Sequence, residues 1–369
     1  MSARVPYSYL ERQFADIDAI LEDVRKLVET GDFTLGRAVS EFEARFARQV
    51  GARHAIGVNS GTDALILALQ AAGVMPGDEV ITAPNTFIAT VGAIVAAGAR
   101  PVFADVNEEH NIDPPMVELA VTSRTRAIMP VHLSGNPADL PAIMKIAERY
   151  RLVVVEDACQ AFTAAIDDRS VGTFGAAAGF SLHPLKPLNV WGDGGMIVTD
   201  SDAIADHLRL RRNHGLRGRD TVEIFGINSR LDTLQAVVGS HLIGGIIDAT
   251  ERRIRNARRL DAGLADLAGE ITLPPRRPGI RHVYQTYVIQ ARDRDGLVEF
   301  LIERGIEAKV HYPVPLHLQP AARDLGYKEG SFPVCEQQAR EIVTLPAHQY
   351  LAEAEVDYVI EQVRRFYGK

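Results

Sequence analysis

The chain has 369 residues, of which 46% are hydrophobic and 24% charged, enough to bury a sizeable core and to build about two domains of ordinary size. A formal net charge of -8 argues against a protein whose main task is to neutralise the phosphates of DNA or RNA. The two cysteines, Cys159 and Cys335, supply neither a disulfide framework nor zinc-ligand spacing, so both are expected to be small buried hydrophobes and no metal is expected.

The chain opens MSARVPYSYLERQFADIDAI, without the basic start, apolar middle and small-residue cleavage site of a secretory signal. Apolar runs such as Val91 to Ala99 fall far short of the roughly 20 residues that span a membrane. Residence in the cytoplasm, with no membrane partner, is the expectation. From Ala55 onward short apolar runs alternate with segments of helical period, the pattern of parallel strands joined by crossover helices. Strands are predicted over Ala55–Val58, Glu79–Ala83, Pro101–Asp105, Arg126–Val131 and Leu152–Val155, the last ending in Glu156-Asp157. Helices are predicted between them, over Thr62–Ala72, Thr86–Ala97 and Leu140–Tyr150. Two further strands, Ala178–Ser181 and Met196–Thr199, flank an unusual loop, and Asn228–Leu260 reads as a long helix.

The Pro-rich stretch Leu273–Pro278 then breaks the pattern. Beyond it come strand-like Val283–Ile289, helix-like Gly296–Arg304, strand-like Glu307–Tyr312 and a closing helix over Glu353–Phe366. The expected class is α/β. A large domain over residues 1–248, with an N-terminal helical segment and a mainly parallel sheet flanked by helices, is followed by a smaller α+β domain over residues 249–369.

In open parallel sheets ligands bind beyond the carboxyl ends of the strands. After the first strand, Asn59-Ser60-Gly61-Thr62-Asp63 opens a helix, where hydroxyls and free N–H groups suit a phosphate. The same residues would equally serve as an ordinary N-cap. Asp157 follows a buried strand and needs a partner to offset the cost of burial. The protonated ring nitrogen of a heteroaromatic cofactor, an arginine or a helix N-terminus would each supply one. The loop Ser181-Leu-His-Pro-Leu-Lys186-Pro-Leu-Asn-Val-Trp-Gly-Asp-Gly-Gly195 fixes a lysine between Pro184 and Pro187, which makes Lys186 a better covalent carrier than a freely solvated lysine.

Taken in order, SGTDAL, GDEVI, PNTF, PVFADV, PVHLSG, VVEDACQA, FSLHPLKPLNVWGDGG and INSRLDTLQA resemble the DegT-type (DegT/DnrJ/StrS) nucleotide-sugar aminotransferases, a branch of the fold-type I pyridoxal-phosphate enzymes. The likeness runs from Phe33 to Gln319. It implies that Lys186 carries pyridoxal 5'-phosphate and that Asp157 pairs with the ring nitrogen. It also implies that Phe87 stacks on the ring, Gln160 bonds the ring hydroxyl, and Ser60, Gly61, Thr62 and Ser181 hold the phosphate. Asn228 would reach the phosphate from a second subunit, so a homodimer with shared sites is implied. His311, Tyr312, His317 and Gln319 would contact a keto-sugar nucleotide, and L-glutamate would be the donor.

Lysine at position 186, where some members of the family carry histidine, favours transamination over dehydration. The GDGG form at Gly192–Gly195 looks more like members acting on 3-keto sugars. Phe162-Thr163-Ala164 departs from the family's His-Gly-Ala and is expected to place a bulky apolar group near the site. Three other readings compete: a cyclitol or small keto-phosphate as acceptor, a non-catalytic regulator on the same fold, and a nucleotide-binding oxidoreductase. The last lacks its G-x-G-x-x-G after the first strand.

Overall fold

The computed structural model describes residues 4–369. Its central sheet is assembled from strands β1 (His54–Val58), β2 (Glu79–Thr82), β3 (Arg100–Phe103), β4 (Thr125–Ile128) and β5 (Val153–Asp157). The short strands β6 (Ala165–Ile166) and β7 (Arg169–Ser170) form a small side hairpin. They are followed by β8 (Ala177–Ser181) and β9 (Gly195–Thr199), which rejoin the central sheet. The order across the seven strands is β1-β9-β8-β5-β4-β2-β3. β2 to β5 and β8 run parallel, and only β9 is antiparallel to its neighbours β1 and β8.

Every β2 residue is buried, as is all but the first of β1 and β5, in keeping with strands covered by helices on both faces. The helix Gly61–Ala71 shows how local sequence sets the packing. Ser60, in extended conformation, caps it by accepting the Asp63 N–H at 3.1 Å. Its Ala- and Leu-rich face then lies on β8 so closely that a Cβ on Gly179 would fall 2.7 Å from Leu65. Phe42, Phe46, Phe162 and Phe180 fill the space on the other side. Phe162 stacks on Phe46 at 4.6 Å and meets Phe180 edge-on at 5.9 Å. The bulky group expected beside the site at Phe162 is therefore a core residue, because its ring turns to these aromatics.

A second core gathers Ile254, Leu260, Tyr287, Ile289, Leu297, Val343, Val356 and Val359 around the antiparallel sheet β10 (Ile271–Thr272), β12 (Tyr287–Ala291) and β13 (Ile342–Leu345). The intervening strand β11 (Ile280–Arg281) pairs instead with β6. Val5, near the start of the chain, is buried in this second core. Conversely Leu316, Phe332 and Cys335 pack with Ile81, Phe103 and Ile128 under the central sheet.

Three predicted elements differ; the strand expected over Val283–Ile289 begins only at Tyr287, as β12. The single helix expected over Asn228–Leu260 begins only at Thr233 and is interrupted by a 3-10 turn at Ile243–Gly245, before Ile246–Leu264 continues. Gly244 and Gly245 weaken the α-helix at that point. The strand expected over Glu307–Tyr312 is reduced to a bridge between Lys309 and Thr344. Ala308 is buried there, and Val310 and Tyr312 are half-buried, by chain packing without ladder pairing.

The end of β5 is heavily bonded on the face away from the sheet's carboxyl-edge cavity. Glu156, fully buried, accepts the backbone N–H groups of Gly172 (2.6 Å), Phe174 (2.8 Å) and Gly175 (2.8 Å) and meets His132 Nε2 at 3.1 Å. His132 Nδ1 in turn accepts from the Ala138 N–H, so Nε2 is the donating nitrogen. One carboxylate thus satisfies four buried donors. Glu156→Ala strands them all, and urea unfolding should show a loss of about 3–5 kcal/mol. A loss below about 1 kcal/mol would mean that this network does not hold the strand end.

Candidate active site

A cavity of ≈ 530 Å³ opens beyond the carboxyl ends of β1, β2, β5 and β8. Of the residues singled out from the sequence, Ser60, Gly61, Thr62, Phe87, Asp157, Gln160, Ser181, Lys186, His311 and Tyr312 line it. Asn228, His317 and Gln319 do not. Asn228 pairs in a bridge with Asn213. His317 is buried against Glu336, which its Nε2 meets at 2.9 Å, and Gln319 is half-buried outside the cavity.

The alternation of side chains along a strand puts Glu156 and Asp157 on opposite faces, and only Asp157 faces the cavity. It is 4% exposed. Its Oδ2 accepts the Thr90 hydroxyl at 2.7 Å, and its Oδ1 accepts the Cys159 N–H at 3.1 Å. Thr90 is itself within 2.7 Å of the Thr86 hydroxyl, four residues earlier and just ahead of the helix, so two threonines hold the carboxylate in place. Cys159, expected as a plain core residue, is a cavity residue only partly buried. Burial, helped by the Asp157 charge, raises its thiol well above the usual cysteine range and keeps it uncharged.

Lys186 lines the same cavity, in the loop after β8. Burial holds its amine below the ordinary lysine range, against the opposing pull of the Cys159 and Asp157 charges. Gln160 Oε1 is occupied by the Ser134 N–H at 2.8 Å, which leaves its amide N–H₂ as the free donor. Phe87 caps the start of the helix Ile88–Ala96 and is half exposed, its ring 6.0 Å from that of Tyr312.

The helix start and β8 touch. A Cβ on Gly61 would lie 2.7 Å from Ser181 Cβ, and one on Gly195 would lie 2.1 Å from Ser60 O. These glycines let the helix start pack directly on the strand ends, which brings the Ser60 and Ser181 hydroxyls and the first helical N–H groups together as a cradle at the cavity. The cradle, a buried carboxylate with only neutral donors on it and a buried lysine amine make a set that fits pyridoxal 5'-phosphate: phosphate, ring nitrogen and carbonyl in turn. Among the described residues, no group of three or more His, Cys, Asp or Glu gathers where it could hold a metal ion. Nor is any helix there long and apolar enough to cross a membrane.

Other wall residues were not singled out from the sequence: Tyr7, Thr86, Thr90, Ser134, His183, Asp193, Gln285 and Thr286. The i, i+4 threonines of Thr86-Phe-Ile-Ala-Thr90 carried a readable signal, since that spacing faces one side of a helix. Tyr7 and Gln285 carried none, because they come from distant parts of the chain.

Residues 15–364 match the family model of the DegT/DnrJ/EryC1/StrS aminotransferases. A protein of Geobacillus stearothermophilus named "Pleiotropic regulatory protein" is 43% identical over 98% of this chain and 98% of its own. The dTDP-3-amino-3,4,6-trideoxy-alpha-D-glucose transaminase of Streptomyces venezuelae is 40% identical over 98% of this chain and 96% of its own. Among solved structures, S. venezuelae DesV in complex with a ketimine intermediate superposes with a TM-score of 0.96 at 40% identity, covering 100% of both chains. NtdA of Bacillus subtilis with bound cofactor PMP gives a TM-score of 0.92 at 30% identity, covering 100% of this chain and 86% of its own.

Two outcomes test this site. Thr90→Val should weaken pyridoxal phosphate binding about tenfold in a fluorescence titration, with Thr90→Ser close to wild type; equal affinities would remove Thr90 from the site. For Lys186, the depressed pKa means that the unfolded chain binds more protons than the folded one, so its burial costs stability below the unfolded value of 10.5, most of all at neutral pH. Cofactor-free Lys186→Met should therefore melt higher than cofactor-free wild type at pH 7, by about 1–2 °C per kcal/mol relieved. The gap should narrow as pH rises toward the unfolded pKa. A gap that widens with pH would contradict the assignment.

Proposed function

We propose that this chain, which belongs to the DegT/DnrJ/EryC1/StrS aminotransferase family and is a pyridoxal-phosphate-dependent transaminase, moves an amino group from L-glutamate to a keto-sugar carried on a nucleotide. One observation carries this reading: Lys186, Asp157 and the Ser60–Thr62 helix start converge on a single cavity, with room left beside them. The product name of the S. venezuelae relative supports a nucleotide sugar, and with the GDGG segment it supports amination at C3.

Within this reading the helix start binds the phosphate through the Gly61 and Thr62 N–H groups and the Ser60 and Ser181 hydroxyls. Asp157 keeps a proton on the ring nitrogen, Gln160 donates its free amide N–H to the ring hydroxyl, and Phe87 packs on the ring face. When bound, pyridoxal phosphate supplies a carbonyl that accepts the donor's amine and a ring that takes up the electrons freed as the donor's Cα–H bond breaks. Lys186 Nζ, once released, takes the Cα proton as base and returns it as acid. Its depressed pKa serves that role by keeping more of the amine unprotonated near neutral pH. His311, pushed down to about 4 by burial with the Lys186 and Lys309 charges adding, stays neutral and binds as a hydrogen-bonding group.

We also propose a homodimer with shared sites and a cytoplasmic setting. Asn228 lies outside the cavity of its own protomer, close to Phe225, which is 93% exposed, and Ile227, which is also exposed. A second copy of the chain would cover these side chains and bring Asn228 to the neighbouring phosphate. A regulatory role is the second reading, favoured by the name of the Geobacillus relative.

The test is release of 2-oxoglutarate from L-glutamate by the cofactor-loaded protein, first alone and then with 3-keto and 4-keto nucleotide sugars. One equivalent per site is expected without acceptor and multiple turnovers with a 3-keto sugar nucleotide. Lys186→Ala should lower the rate by roughly 10²–10⁴-fold. Cofactor binding without oxo-acid release from any amino donor would overturn the enzyme reading in favour of the regulatory one.

A further inference from the structure

The loop that presents Lys186 cannot hold itself together through its own backbone. Pro184 and Pro187 have no N–H, and the bonds it makes internally are few. The Lys186 N–H reaches His183 O at 2.8 Å, and Val190 N–H reaches Leu182 O at 2.9 Å. Three successive carbonyls, on Pro184, Leu185 and Lys186, are left needing donors in a partly buried place.

Each receives a side chain. Asn189 Nδ2 donates to Pro184 O at 2.7 Å and to Lys186 O at 3.2 Å. Gln285 Nε2 donates to Leu185 O at 2.7 Å, and the Tyr9 hydroxyl donates to Lys186 O at 2.8 Å. Asn189 is fully buried and bonds Gln13 reciprocally, at 3.0 and 2.9 Å. The lysine loop is thereby tied to two segments far away in sequence.

Both segments are anchored in turn. The Tyr9 ring is buried, 5.4 Å from His348 and 5.9 Å from Tyr350, with the Arg253 guanidinium 5.0 Å above it. The backbone before it pairs with the second core through Val5 N–H to Gly305 O (2.9 Å) and Glu307 N–H to Val5 O (3.1 Å). Tyr7, two residues earlier on this strap, lies in the cavity wall with its ring 5.6 Å from His311. The Gln285 carbonyl accepts from Arg253 Nη1 at 3.3 Å.

We propose that Tyr9 and Gln285 are positioning residues for Lys186, clamping the carbonyls on and before it so that its Nζ meets the reacting carbon in one geometry. The proposal rests on the reading of Lys186 as the residue that carries the cofactor. A positional error of about 1 Å at a reacting group is enough to cost up to 10²-fold in rate. Neither side chain is given chemistry of its own. The Tyr9 strap also passes Tyr7 through the cavity wall, so the same segment touches the substrate space and the lysine backbone.

The experiment compares cofactor-loaded wild type with Tyr9→Phe, which keeps the ring packing and removes only the hydroxyl, and with Gln285→Met and the double variant. For each, the pH midpoint of the visible absorbance band of the lysine-bound cofactor, kcat and KM for L-glutamate, and the melting temperature are measured. Each single variant should lose about tenfold in kcat with KM changed less than about twofold, and shift the band midpoint by roughly half a pH unit or more. The double variant should differ from the product of the singles, since both act on one loop. Unchanged kcat and midpoint, with or without a lowered melting temperature, would reduce both residues to packing and overturn the proposal. The midpoint needs no turnover. Failure of wild type to transaminate would therefore overturn the functional reading separately, while the midpoint still decides this one.

Discussion

The last two residues of β5 are adjacent carboxylates that face opposite ways, and the site depends on that arrangement. Glu156 is consumed by structure, its oxygens taken by three backbone N–H groups and His132. Asp157 is left for chemistry, held only by neutral donors from Thr90 and Cys159. A buried carboxylate is tolerable when donors surround it, and costly when they do not. Glu156 thus secures the strand end on one face, so that Asp157 can present a charge to the cavity on the other.

The neighbours of β5 in the sheet supply the other parts. β8 lies beside it and leads into the lysine loop. The helix after β1 starts against β8, where Gly61 and Gly195 allow contacts that any side chain would block. Apart from Asp193, the cavity walls add little charge: burial keeps His311 neutral, and it raises the Tyr7 hydroxyl to about 12. Lys186 and Asp157 therefore share a space bounded largely by uncharged groups, where electrostatic effects are less screened than at the surface. Phe87 and Tyr312 add aromatic surface to one side.

Much of this was legible in the sequence. Apolar runs of strand length placed β1 to β5, β8 and β9 within a few residues, and the helices Leu140–Tyr150 and Glu353–Phe366 have the predicted bounds. Lys186 stood out because two prolines bracket it, and Ser60 because it precedes a helical run. What stayed hidden has physical reasons. Periodicity does not give strand direction, so the antiparallel β9 needed the folded sheet. Tyr7, Tyr9 and Gln285 reach the site from segments about 100 or more residues away from Lys186, and no local pattern marks such contacts. His317 lay within a segment resembling the family's substrate contacts, yet a neighbouring acid, Glu336, holds it in the core. Phe162 looked like a wall residue because it follows Gln160, but its ring turns to Phe46 and Phe180.

The central claim is that Lys186 carries the cofactor. Loading the protein with pyridoxal phosphate, reducing it with borohydride and mapping the modified peptide by mass spectrometry tests this directly. The account predicts a single reduced adduct, on the peptide containing His183–Asn189, which is absent from Lys186→Ala. A label on Lys309, on the nearby segment leading to His311, or on any other lysine in place of Lys186 would contradict it.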